Sequence, residues 1–162
     1  MSKVFRRLIE KDAEKFHHFL TAAYADNLKY GIRFPATFAT AEDIKNHLAD
    51  NLCYILEQDK EIITSCSLWM PWSPNPGPDV FPHLGWISTS PKYKRQGYST
   101  QMLAWIEQEI LIKQFKTPSV TLNTAEEHPW LVGMYEKHGY AVYDKRILHA
   151  NYVTVFMRKS LF

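Results

Sequence analysis

Apolar and polar positions change period several times along the chain, and the changes mark out its elements. Val4 to Leu8 reads as a short strand ending before the charged pair Glu10–Lys11. Asp12 is placed to cap a helix whose apolar positions, Phe16, Phe19, Leu20, Ala23 and Tyr24, keep helical spacing. Gly31 and Pro35 break that helix, and Thr40 caps a second one with Glu42 and Asp43 in its first turn and Ile44 and Leu48 on one face. Leu52 to Glu57 and Ile62 to Met70 form a β-hairpin around Gln58-Asp59-Lys60-Glu61, and a turn centred on Asp59–Lys60 sets Cys53 opposite Cys66.

The segment PWSPNPGPDVFP, with Pro71, Pro74, Pro76, Pro78 and Pro82, is excluded from a central strand and reads as a stiff loop. A strand from Leu84 to Thr89 follows, then a basic turn, then a long helix with Met102, Leu103, Ile106 and Ile110 on one face, ended by Pro118. Ser119 to Asn123 is a strand. Pro129 suits the first turn of a helix that reaches Lys137 and stops at Gly139. Tyr140 to Arg146 and Tyr152 to Arg158 are the last strands. The order β-α-α-β-β-β-α-β-α-β-β predicts an α/β protein: an α+β mixed sheet layered by helices.

Composition narrows the classes. A length of 162 residues fits one domain, taken here as residues 3–162, and the 46% apolar share is that of a globular chain. Lys and Arg total 19 against 17 Asp and Glu, too even a balance for a general nucleic-acid binder. No apolar run approaches the ~20 residues that span a bilayer, so no membrane partner is expected. The first residues hold no uninterrupted apolar segment of the kind that directs secretion, and a cytoplasmic location is the natural reading. Cys53 and Cys66 show neither metal-ligand spacing nor a CxxC pattern, so no metal is expected and both read as buried thiols.

Chemistry concentrates in LGWISTSPKYKRQGYSTQMLAWIEQEIL, where an apolar strand meets a turn holding Lys92, Lys94, Arg95 and Gly97 before a helix. A helix start presents unpaired N–H groups and the positive end of its dipole. Gly97 lets backbone approach a ligand, and the Ser99 and Thr100 hydroxyls can donate to an anion. The combination suits a pyrophosphate. It matches neither the dinucleotide fingerprint GxGxxG nor the P-loop pattern GxxxxGK[ST].

This stretch resembles the acetyl-CoA motif of the GNAT superfamily, a strand leading through [Q/R]xxGx[G/A] into a helix. Lys94, Arg95, Gln96, Gly97, Tyr98 and Ser99 occupy the motif, with Lys94 in place of Gln or Arg and Ser99 in place of the second Gly or Ala. Downstream, the chain is similar to the family pattern NxxAxxxYxxxGF. His128 stands at the Asn position, Leu131 at Ala, Tyr135 at Tyr, and Gly139–Tyr140 at Gly–Phe.

The resemblance implies a fold of about seven strands and four helices and an N-acetyltransferase. Acetyl-CoA would be the co-substrate, and the acceptor a primary amine of a small molecule or protein terminus. It implies that Ile87, Ser88 and Thr89 bind the pantetheine arm and acetyl carbonyl, and that Tyr135 protonates or hydrogen-bonds the departing thiolate. His128 either bonds CoA in place of Asn or caps the helix before Pro129. His83 is a candidate proton acceptor, set against an ordinary exposed histidine, with Asp79 in reserve. Tyr30, Phe34, Trp69, Trp72 and Tyr152 are candidates to line an aromatic acceptor pocket, set against ordinary core packing. The alternative function is a non-catalytic acyl-CoA-binding sensor or interaction module of the same fold, and a homodimer is left open.

Overall fold

The computed structural model describes residues 2–149 and 151–162. Its strands are β1 (Lys3–Arg7), β2 (Leu52–Gln58), β3 (Glu61–Trp69), β4 (His83–Thr89), β5 (Ser119–Ala125), β6 (Ala141–His149) and β7 (Tyr152–Ser160). The α-helices are α1 (Ala13–Ala25), α2 (Ala41–Asp50), α3 (Tyr98–Trp105) and α4 (Leu131–Lys137). The mixed α/β order matches the sequence reading. The strands join in one sheet, ordered β1-β2-β3-β4-β5-β7-β6.

Alternation along the strands sorts side chains into two cores. Tyr54, Leu56, Val155 and Met157 pack with Met102, Leu103 and Ile106 on the α3/α4 face. Cys53, Ile55 and Ile62 pack with Phe16, Leu20 and Ile44 on the α1/α2 face. Because inner strands are covered on both sides, β2 and β3 are buried along most of their length, the polar Thr64, Ser65 and Ser67 of β3 included. Among the described residues no helix is long and apolar enough to cross a membrane.

Several elements depart from the reading, each for a local reason. The Asp12 carboxylate does not cap α1. It accepts from the Ile9 N–H (2.9 Å) and from Arg6 (3.0 Å), closing a 3₁₀ turn ahead of the helix. Thr40 does cap α2, accepting from the Asp43 N–H (3.1 Å) while the Asp43 carboxylate accepts from the Thr40 N–H (2.9 Å). The long helix is α only as far as Trp105. Ile106–Ile112 is π-helical, and its wider turn brings Leu111 into the core beside Ile106 and Ile110. Pro129 lies ahead of α4, whose N-terminal flanking residue is Trp130. Tyr140 begins no strand. Its hydroxyl donates to buried Glu107 (2.9 Å), which Lys159 neutralises at 2.6 Å.

The hairpin turn falls at Asp59–Lys60, but a bulge between Leu56 and Glu57 moves the register by one. Tyr54 therefore faces Cys66, Cys53 faces Ser67, and both cysteines are free and buried. Asp59 and Lys60 both take positive φ, 51° and 65°, as the tightest hairpin turns require. Left-handed backbone costs roughly 1 kcal/mol or more per non-glycine residue. Replacing Asp59–Lys60 by Asn–Gly should raise unfolding stability by about 1 kcal/mol in urea titrations. An unchanged or lower midpoint would show that the turn carries no such strain.

Candidate active site

β4 and β5 are parallel neighbours that pair only at His83–Thr121 and Leu84–Leu122. Beyond those pairs they part, and the remainder of β4 keeps hydrogen-bonded company on its β3 side alone. The Ser90 N–H donates to the Ile63 carbonyl (2.8 Å), so by strand alternation Ser88 and Ser90 point their amides at β3. The Ile87 and Thr89 amides point the other way, into the opening.

A bulge aims them. Thr89 and Ser88 face Thr64 and Ser65, whereas Gly85 faces Ser67, leaving Trp86 and Ile87 together opposite Cys66. Trp86 takes φ 48°, left-handed backbone that a bulky residue rarely adopts. Its ring is clamped: His47 stacks on it with centroids 3.9 Å apart, Trp69 meets it edge-on at 6.0 Å, and Phe16 lies at 6.3 Å. His47 is itself bonded to the Ser67 hydroxyl (2.7 Å). Gly85 makes room for this stack, since a Cβ there would come within 2.6 Å of the Trp69 ring.

The turn after β4 is built from left-handed residues as well, Arg95 at φ 63° and Gly97 at φ 79°. Gly97 immediately precedes α3, and no side chain caps that helix. The Gln101 N–H is the first to return to the turn, donating to the Gly97 carbonyl (3.1 Å). The Tyr98, Ser99 and Thr100 amides thus stay available to an anion. A Cβ on Gly97 would meet no protein atom within 4 Å, so backbone conformation rather than crowding calls for glycine there.

Lys94 is paired with Asp26 (3.3 Å) and Lys92 with Glu61 (3.2 Å), while Arg95 has no carboxylate partner among the described residues. Ser99 and Thr89 share a hydroxyl bond of 2.7 Å, which ties the helix start to the strand end. Gln96 is exposed and does not line the cleft.

The opening widens into a cavity of about 940 Å³ running through the sheet. Ile87, Ser88, Thr89, Lys94, Arg95 and Gly97 to Thr100 line one end of it together with Tyr135. Tyr135 is 4% exposed, and its phenol makes no hydrogen bond among the described residues. Burial, with Cys66 nearby, pushes its pKa well above the ordinary tyrosine value, so the proton stays on.

His83 also lines the cavity, but as a buried residue and not an exposed one. Its Nδ1 shares a 2.8 Å bond with the Thr121 hydroxyl, and burial lowers its pKa to about 4. His128 Nδ1 accepts from the Trp130 N–H (3.4 Å) just ahead of α4, a helix start that no side chain caps. The ring also meets Tyr30 at 4.9 Å across the mouth, lines the cavity, and burial, then Lys94 and Lys29, lowers its pKa to about 4.

Of the aromatic candidates, Tyr30, Phe34, Trp69 and Tyr152 line the cavity. Trp72 does not. It follows the far end of β3, is 71% exposed and packs on Phe115. Asp79 also lies off the lining, facing Arg158 at 3.9 Å. Sequence reasoning passed over Tyr24, Trp86, Arg146 and Thr154. Tyr24 looked like one more apolar position of α1, yet its phenol lies close enough to Tyr135 and Tyr152 to feel both. The adjacent Gly85–Trp86 pair was the available signal for the bulge. Among the described residues no group of three His, Cys, Asp or Glu side chains is placed to hold a metal.

A mixed sheet parted along its β4–β5 parallel pair, with a helix start facing the gap, defines a class that comparison with known proteins identifies. The profile of the acetyltransferase (GNAT) family matches residues 9–140, and the chain belongs to that family. It is 38% identical over 161 residues to the S-(2-succino)cysteine N-acetyltransferase of Bacillus subtilis (strain 168), covering 99% of this chain and 98% of that one. It is 30% identical over 159 residues to the S-alkylcysteine N-acetyltransferase of the same organism, covering 98% and 89%. The PaiA N-acetyltransferase from Thermoplasma acidophilum, solved with coenzyme A, shares the fold at TM-score 0.75 with 17% identity, covering 99% of each chain.

Two outcomes follow. Arg95→Glu should weaken acetyl-CoA binding by roughly tenfold at low salt, read by calorimetry, because it reverses the turn's unpaired charge. An unaltered dissociation constant would undo the phosphate assignment. Separately, His47, His83 and His128 are held near pKa 4 against an ordinary value of about 6.5. They are neutral when folded, and the unfolded chain takes up their protons first as pH falls. Their contribution is complete above pH 6.5 and should be lost progressively down to about pH 4. A urea midpoint that stays flat across that window would contradict their burial.

Proposed function

We propose that this acetyltransferase moves the acetyl group of acetyl-CoA onto the α-amino group of an S-substituted cysteine. The two Bacillus subtilis relatives support the substrate class by their names. The observation that carries the reading is the charge of the cavity. Its lining includes Lys29, Lys94, Arg95 and Arg146 but a single carboxylate, Asp26, which already pairs with Lys29 (3.2 Å) and Lys94 (3.3 Å). A polyamine would set its ammonium groups against these cations, whereas CoA and an amino acid bring the anions that they attract. Phe34, Trp69, Trp86 and Tyr152 supply the apolar wall that a thioether substituent needs.

The reaction is direct transfer in a ternary complex. A neutral amine attacks the thioester carbonyl, whose oxygen gains charge and is stabilised by the β4 amides that face the cleft. The N–C bond forms, and the C–S bond breaks with its electron pair left on sulfur. The attacking nitrogen sheds a proton to water while the thiolate gains one, Tyr135 donating it a hydrogen bond or its proton and recovering that proton from water. An α-amine titrates lower than a lysine-type ammonium, so it reaches the neutral form with less help from a base. That accords with a lining whose one carboxylate is engaged. His83 stays neutral at working pH and serves as a proton acceptor in reserve.

Free-thiol release should be measured with S-alkylcysteine, S-(2-succino)cysteine and spermidine as acceptors. Turnover on the cysteine thioethers and none on spermidine is expected. The reverse preference would sink the substrate assignment, and acetyl-CoA binding without thiol release on any acceptor would favour a binding module. Tyr135→Phe should lower kcat roughly tenfold or more with acetyl-CoA affinity retained. An unaffected kcat would remove Tyr135 from the chemistry.

A further inference from the structure

The cavity reaches both faces of the sheet, and its two ends differ. The phosphate-suited turn and α4 lie on one face. On the other, the β5–β7–β6 wall contributes Arg146, and among the described residues that wall offers the cavity no second Lys or Arg. Alternation places it: Val155 and Met157 pack in the α3/α4 core, so Thr154 and Phe156 face the α1/α2 side. Arg146 is the cross-strand neighbour of Thr154 and shares that face.

The guanidinium is oriented from two directions. Its Nε donates to Asp144 (2.7 Å), and its plane lies over the Phe156 ring, 5.0 Å from the centroid. The two terminal nitrogens have no partner among the described residues, so the outer edge of the fork is left for a planar anion. Thr154 supplies a second, independent observation. It is 4% exposed, and its Oγ1 is buried with no hydrogen-bond partner. A native hydroxyl left in that state calls for an acceptor.

We infer that Arg146, assisted by the Thr154 hydroxyl, anchors the α-carboxylate of the acceptor and thereby sets specificity for amino acids over simple amines. The assignment rests on the S-substituted cysteine reading. A carboxylate seated end-on on the terminal nitrogens of Arg146 gives Thr154 an oxygen to bond after rotation about its Cα–Cβ bond. Arg146 is half-exposed, so the gain is expressed as discrimination at the rim more than as raw affinity.

The test compares an S-alkylcysteine with its carboxamide, which keeps the amine and thioether but removes the charge. The wild-type chain should prefer the acid by roughly tenfold in kcat/KM, mostly through KM. Arg146→Gln should bring the acid-to-amide ratio close to one, and Arg146→Lys should restore part of it. Thr154→Val, which keeps side-chain volume, should lower the ratio by a smaller factor. A ratio that persists in Arg146→Gln overturns the assignment, as does a wild-type chain that uses acid and amide equally well; either result leaves the cysteine reading standing. No turnover on acid or amide, with thiol release on another amine, overturns the cysteine reading itself.

Discussion

Everything in this site depends on a parallel strand pair that stops early. β4 and β5 share two residue pairs and then separate, leaving the Ile87 and Thr89 amides without a strand partner on their open side. In a sheet interior such groups would be costly. Here they border a cavity, where a ligand's carbonyl and amide groups can take the place of the missing strand. Under the proposed reaction, the same separation would let a thioester approach from the α3/α4 face and an amine from the α1/α2 face, making the gap both binding groove and reaction channel. The two flanking hairpins, β2–β3 and β6–β7, lie on opposite sides of the gap.

Local rules are broken where the chemistry sits, and packing elsewhere holds the exceptions in place. Trp86, Arg95 and Gly97 are all left-handed within one short stretch. Trp86 is the least comfortable of them, and it is also the most constrained. His47 from α2 stacks on it, Ser67 fixes His47, and Gly85 admits Trp69 on the remaining side. Thus α2, which takes no direct part in the cavity, sets the direction of the β4 amides through one ring stack.

Legibility in the sequence followed the range of the interactions. Order and type of the main elements could be read because apolar period and capping are local properties, as the Thr40–Asp43 box illustrates. The turn at Lys94–Thr100 was legible for the same reason: strand, glycine and helix start lie within a few residues. Register was not. One bulge at Leu56–Glu57 exchanged the partners of both cysteines, and nothing local announces it. Trp72 was misjudged because aromatic identity says nothing of which end of β3 the ring leaves from. Arg146 and Thr154 were invisible, since each matters only through a cross-strand neighbour and a cavity assembled from distant segments.

The charge pattern bears on a further point, the source of the base. Under the proposed reaction the acceptor must lose a proton before it attacks, and a general base would ordinarily be a carboxylate near the amine. The lining supplies Asp26 alone, already shared between Lys29 and Lys94. Yet a cavity with four cationic side chains against one carboxylate destabilises an ammonium relative to the neutral amine. Seating a carboxylate on a guanidinium acts in the same direction, because it cancels the negative charge that would otherwise hold the proton on the neighbouring nitrogen. A cationic cavity and an α-amine therefore fit together chemically. Under the proposed reading, the electrostatics that would attract CoA and an amino acid also favour the deprotonated nucleophile.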